Sequence, residues 1–408
     1  MVHDQEHEQP VACDGPVPVQ DKEIKPWCAV STCSLQPVEE TEVSDSTDTE
    51  DPDPLTSWPE HESSKESEEF EETEKSLVVQ PAVTTSTVWV GDTPASEAVS
   101  ARKASLLPLF DEQRYQFSRL LNHAVRSGGQ IELYLDTLTG TPVAVKRVPA
   151  LRLKAFPTPN SEDLEDPWQE MAATTYLGGS GPGRVPGVCA CHGAFRSTSG
   201  DSMLVSDYLL GGDLFDVAST LGEPGPGREQ QAWPMIRSLL EAVLTIHSRG
   251  VAHGDISLEN IMRQRGCSMT TALVDFGMAV TGDLTRTTGV RGKPSYQAPE
   301  MHTQLFYDAR CADLFACGVA AYALATGSYP WTSTRPGSCL CFGYALRHGI
   351  EAFLQRRKIS VGGVRKPVSC CLSVTYRQLL LTLLSSEPLK RFEVSSWQFM
   401  RGGVWPTA

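Results

Sequence analysis

The sequence lacks the marks of several protein classes. Its longest apolar run, around Leu314–Ala325, has about 12 residues, too short to cross a bilayer and suited to a buried helix. The opening residues MVHDQEHEQP contain no basic segment followed by an apolar run, so no secretory leader is expected. With valine at position 2, N-myristoylation is not expected. The 12 cysteines are irregularly spaced with no pair of C-x-x-C knuckles, which excludes the usual structural zinc patterns. Free thiols in a reducing compartment, cytoplasmic or nuclear, are expected. No concentrated basic stripe is present, so nucleic acid is not the expected partner.

What is there is unevenly distributed. Of the net charge of −15 over 408 residues, residues 1–100 contribute 24 acids against 4 lysines, and the other 308 residues carry 26 acids against 31 Lys and Arg. The segment VEETEVSDSTDTEDPDPLTSWPEHESSKESEEFEETEK has almost nothing to bury, so its ordering entropy goes uncompensated. Residues 1–106 therefore read as a disordered acidic region and 107–405 as the folded part.

Within the folded part, Gln130–Val148 shows two β-type runs around a Thr-Gly turn and predicts a hairpin. Helical spacing covers Asp166–Leu177. Ser202–Leu210 predicts a strand leading to a Gly-Gly loop. Beyond it the chain turns helical, over Gln230–Ser248, Asp313–Thr326 and Tyr376–Ser385. The expected fold class is α+β and bilobal: a small β-rich lobe (107–206), an extended joint (207–212) and a larger helical lobe (213–405). A cleft between two such lobes is a favourable ligand site.

The chemistry concentrates in HGDISLENIM (253–262) and ALVDFGMAV (272–280). Asp255, Asn260 and Asp275 form a hard-oxygen set suited to Mg²⁺ and bound phosphate. Phosphoryl transfer also needs a carboxylate to accept the attacking hydroxyl's proton.

With these motifs the sequence resembles the eukaryotic protein kinases over about residues 108–400. The resemblance implies an ATP- and Mg²⁺-dependent serine/threonine kinase acting on proteins. It makes Lys146 of VAVK the lysine that holds the α/β-phosphates and Glu170 of WQEMAATTYL its helix partner. It makes Asp255 the catalytic base, and Asn260 and Asp275 the metal ligands. Gly129, Ile131, Ala144, Asp207, Leu209 and Asp213 complete the implied nucleotide-binding set. Glu300 of QAPE and Arg391 are implied as a structural pair, and Asp313 as a buried brace for the catalytic loop. Acids at Asp213 and Glu259 suggest basic residues near the target, although Asp213 also suits a ribose.

Departures from the family are equally visible. In the place of the glycine-rich loop stands AVRSGG (124–129), where only Gly129 keeps its position and Arg126 replaces the second glycine. H-R-D reads His253-Gly254-Asp255, so the usual receptor for an activation-loop phosphate is missing. Ser257 stands where the serine/threonine branch has a lysine. Lys293 replaces the threonine of G-T-x-x-Y, and its stem reaches toward the space of that missing lysine, a candidate catalytic cation. Ser206, before the joint, is a small gatekeeper. This combination is similar to divergent kinases of the apicomplexan type. Two other readings stand beside an active kinase. One is a pseudokinase acting as scaffold or allosteric regulator. The other is an aminoglycoside- or choline-type phosphotransferase, which shares H-G-D-x-x-x-x-N but lacks the A-P-E segment and the buried helix aspartate.

Overall fold

The computed structural model describes residues 102–124, 128–155, 164–181, 183–264 and 270–396. The expected acidic region up to residue 101, Arg126 and the C-terminal end of the folded part lie outside these residues.

Alternating side chains build the first lobe. Strands β1 (Tyr115–Ala124), β2 (Gly129–Asp136), β3 (Thr141–Val148), β4 (Cys191–Arg196) and β5 (Ser202–Asp207) form an antiparallel sheet of order β1-β2-β3-β5-β4. The expected hairpin is β2–β3; its turn closes with Gly140 N–H bonding Asp136 O at 2.8 Å and Gly140 at φ 69°, a backbone state that glycine adopts without strain. Val143, Val145, Met203 and Val205 pack with Phe110, Tyr115 and Tyr134 on one face. Val148 and Leu204 join Leu153, Trp168 and Met171 on the other. Lys146, two residues before Val148 in β3, shares that second face by the two-residue period of a strand.

Two helices follow β3, α1 (Ala150–Ala155) and α2 (Pro167–Gly178). Asp166 starts α2: its Oδ1 accepts from Trp168 N at 2.9 Å and Gln169 N at 3.4 Å, and Pro167 occupies the first turn. The carboxylate satisfies orphan donors of the helix start, and the proline removes one.

After the joint come α3 (Leu214–Thr220), α4 (Pro226–Ser248), α5 (Glu300–Thr303), α6 (Ala309–Thr326), α7 (Leu340–Arg356) and α8 (Val374–Leu383). Helix α4 begins at Pro226, a turn before the expected Gln230, because proline suits the first helical turn. Two short antiparallel ladders, β6 (Val251–Ala252) with β9 (Val280–Thr281) and β7 (Ile261–Arg263) with β8 (Thr271–Leu273), frame the loops that carry Asp255 and Asp275. One continuous apolar core joins α3, α4, α6 and α8. Helix α6 has the length and hydropathy of a membrane span, but 94% of it is buried inside this core, in line with the buried helix expected there.

Candidate functional site

Four charged groups meet where the lobes face each other. Lys146 Nζ donates to Glu170 Oε1 at 2.6 Å and to Asp275 Oδ1 at 3.0 Å. Glu165 Oε1 lies 3.6 Å from the same ammonium. Burial opposes the charge on Lys146, yet Asp275, Glu170 and Glu165 together raise it well above its ordinary value. Burial pushes Glu170 up to about 8 against the pull of Lys146. Asp275 is only half-buried; desolvation pushes its carboxyl up, but Lys146 outweighs this and holds it at about 2. Its backbone has φ 62°, a left-handed state rare outside glycine; such local strain is characteristic of functional positions.

A second group is assembled by hydrogen bonds inside the helical lobe. Asn260 Nδ2 donates to Asp255 O at 2.7 Å and lies 3.3 Å from Asp255 Oδ2. Val274, the neighbour of Asp275, donates its N–H to Asn260 O at 3.1 Å. His253 Nε2 donates to Val274 O at 3.0 Å, and its Nδ1 accepts from Asp255 N at 3.2 Å. The whole loop hangs from Asp313 on α6, whose carboxylate accepts from His253 N at 2.7 Å and Gly254 N at 2.9 Å and pairs with His247 at 2.9 Å. Asp313 is therefore a brace, as expected. Farther down, fully buried Arg391 pairs with Glu300 (Nη2–Oε2 3.0 Å), bonds Cys311 O at 3.0 Å and stacks over Phe315.

The structure gives physical reasons for one departure from the family. Gly254 has φ 76°, and a Cβ there would lie 2.3 Å from Met278 O. The family's arginine does not fit this backbone. Arg291 from the following segment fills the vicinity instead: its Cδ comes within 3.5 Å of that Cβ position, and its Nη1 donates to Met278 O at 3.2 Å. Of the threonines after β9, Thr287 is buried and its backbone pairs with Tyr307, whereas Thr285 is exposed and bonds Asp283.

Ser257 is fully buried, with a hydroxyl that makes no hydrogen bond among the described residues. Lys293 sits on Glu259, Nζ to Oε1 at 2.7 Å. Two residues expected in separate roles thus occupy each other.

Of the expected nucleotide-binding residues, Ile131, Ala144, Lys146, Glu170, Asp207 and Leu209 line one cleft with Asp275. Ser206 also lines it, as do Thr174 and Phe276. Gly129 and Asp213 do not line this cleft. Gly129 opens β2 opposite Ala124. Asp213 caps α3, accepting from Asp216 N at 2.8 Å, and burial pushes its carboxyl up to about 6. Sequence reasoning missed Glu165. In SEDLED (161–166) it reads as one of several solvated acids before a helix, and no periodicity marks it as the one that turns inward. Cys189 also lines the cleft; burial raises its thiol to about 12, which leaves it unreactive.

Comparison with known proteins gives the same outline. The sequence is similar to CBL-interacting protein kinase 31 of Oryza sativa subsp. japonica, 33% identical over 132 residues, covering 31% of this chain and 28% of that protein. It is 28% identical over 242 residues to the putative CBL-interacting protein kinase 27 of the same plant, covering 58% of this chain and 54% of that protein. It is 29% identical over 200 residues to the CBL-interacting serine/threonine-protein kinase 12 of Arabidopsis thaliana, covering 48% of this chain and 36% of that protein. The chain thus spans little more than half the length of these relatives at most. Residues 127–398 match the protein kinase domain, and the chain belongs to that family.

Proposed function

We propose that this protein is an ATP- and Mg²⁺-dependent kinase that transfers the γ-phosphate to serine or threonine hydroxyls of protein substrates. The observation that carries the reading is the convergence of Lys146, Glu170 and Asp275 in one cleft, within 3.0 Å of the ammonium, next to the Asp255–Asn260 pair. Glu170 restrains Lys146 so that its ammonium faces incoming phosphates. Asp275 and Asn260 supply the carboxylate and amide oxygens that hold a hard divalent cation. When bound, that cation neutralises charge on the phosphates. Asp255 orients the attacking hydroxyl and takes its proton. Lys293 is the candidate cation for the space of the family's missing lysine, which it reaches by leaving Glu259. The kinase domain is proposed to run from residue 107 to 405. A preference for basic residues near the target rests on Glu259, whose carboxylate is available to a substrate once Lys293 leaves it.

Transfer of label from radioactive ATP to a generic basic protein tests the reading. Wild type is expected to label the substrate, and Asp255→Asn to lose the signal. Equal labelling by the two proteins overturns it. A pseudokinase that binds nucleotide without transfer is the second reading, and the buried serine at 257 is the observation that favours it. Nucleotide binding with no labelling on any peptide library would establish it.

A further inference from the structure

The carboxylate of Glu165 has no place in the machinery described so far, yet it is buried against the catalytic lysine. Its side chain is 7% exposed and its Oε1 lies 3.6 Å from Lys146 Nζ. An ammonium has three N–H donors. Glu170 and Asp275 take two of them at 2.6 and 3.0 Å. Glu165 lies beyond hydrogen-bond range but well within ion-pair range of the same ammonium. It faces a cation whose remaining capacity is the part a phosphate oxygen needs.

The placement of Glu165 is built in. A Cβ on Gly277, two residues after Asp275, would lie 2.9 Å from Glu165 Cγ, so the stem passes through space that only glycine leaves open. The next residue, Asp166, donates its N–H to Gly277 O at 2.9 Å while its side chain caps α2. Glu165 is thereby clamped between the start of the helix that carries Glu170 and the segment that carries Asp275.

We propose that Glu165 is a positioning residue that occupies the phosphate-facing side of Lys146 and sets the affinity for nucleotide. The proposal rests on the nucleotide-binding reading above. Even without a charge on Glu170, the carboxylates of Asp275 and Glu165 outnumber the one ammonium and leave the cleft negative, and a nucleotide brings further negative charge. Without a divalent cation, phosphate oxygens compete with Glu165 for Lys146. With the cation bound, Asp275 is engaged, the local charge falls and the competition weakens. Glu165 therefore makes nucleotide binding depend more steeply on the divalent cation than the Lys146–Glu170 pair alone would.

The test measures binding of fluorescent N-methylanthraniloyl-ATP to the full chain, with chelator and with saturating Mg²⁺. The proteins are wild type, Glu165→Gln, Glu165→Ala and Lys146→Met, each checked for a cooperative thermal transition. Glu165→Gln keeps the shape and removes the charge; Glu165→Ala removes both. If Glu165 keeps phosphate off the remaining donor of Lys146 about nine-tenths of the time, removing the charge tightens metal-free binding about tenfold. The expected result is that gain in both Glu165 variants, shrinking in Mg²⁺. Unchanged or weaker metal-free binding overturns the proposal. A loss of affinity seen only in Mg²⁺ also overturns it and makes Glu165 a metal ligand instead. Binding by wild type that Lys146→Met abolishes upholds the nucleotide reading whatever Glu165 does. No binding by any of the proteins removes both.

Discussion

The two lobes hold their functional groups by different means. In the helical lobe, Asp255 and Asn260 are placed by neutral and charge-assisted hydrogen bonds to backbone, braced by Asp313 on a helix buried all round. In the β lobe, the core is divided by the sheet into two smaller clusters, and Lys146 is placed by carboxylates that do not belong to the sheet: Glu165 and Glu170 at and on α2, and Asp275 from the other lobe. Packing sets the first geometry before any ligand arrives. Charge balance sets the second, so it changes with whatever neutralises those carboxylates. The lobe with the smaller core clusters is thus also the one whose site is held by ion pairs.

The largest expected effect tests the charge-set half. Asp275→Asn removes the charge of the proposed metal ligand and is expected to lower kcat by at least about 1,000-fold while the protein still unfolds cooperatively. Steady-state kinetics paired with a thermal melt checks this, and a variant that no longer folds would erase the contrast between the lobes. Next comes the packing-set half. Arg391→Ala leaves Glu300 buried without its cation, and breaking such a pair costs about 3–5 kcal/mol, readable as a shift of the urea midpoint. A loss below about 1 kcal/mol would mean the helical lobe is not held as described.

Glu170→Gln sharpens the comparison through pH. Burial raises the Glu170 carboxyl from 4.5 to about 8, so the folded protein holds this proton more tightly than the unfolded chain. The stability contributed by the group is therefore present below about pH 4.5 and declines as pH rises toward about 8. Urea midpoints across that range should fall less steeply in Glu170→Gln than in wild type; parallel curves would show that the charge cluster does not govern this lobe's stability. The smallest effect is expected at the seam between the lobes' logics. Lys293→Thr removes a cation that must first leave Glu259, so kcat should drop only about tenfold. An unchanged kcat with a lower KM for arginine-containing peptides would instead assign Lys293 to masking Glu259.

Much of this is legible in the chain itself. The hairpin of β2 and β3, the helix after Asp166 and the apolar helix ending at Thr326 follow from periodicity and caps, which are local. Lys146, Glu170 and Asp275 are legible as a set through their motifs, and Glu300 with Arg391 likewise. Periodicity alone places the start of α4 too late, because proline looks like a breaker unless its place in the first turn is known. Asp213 reads toward nucleotide or substrate, and it caps a helix, a role that any aspartate before an apolar helical run satisfies.

What the sequence determined by itself is the family: motif order, lobe order and the residue types that the proposed phosphoryl transfer requires, all encoded at short range or at family spacing. What only the tertiary structure decided is who neighbours whom among the charges. Along the chain Glu165 looks like any other acid of SEDLED, yet a folded backbone with glycine at 277 turns it onto Lys146. Arg291 comes to the space beside Gly254, and Lys293 comes to Glu259, across 37 and 34 residues of sequence. Electrostatic partnership depends on distance and burial in three dimensions, and neither is written in the order of residues.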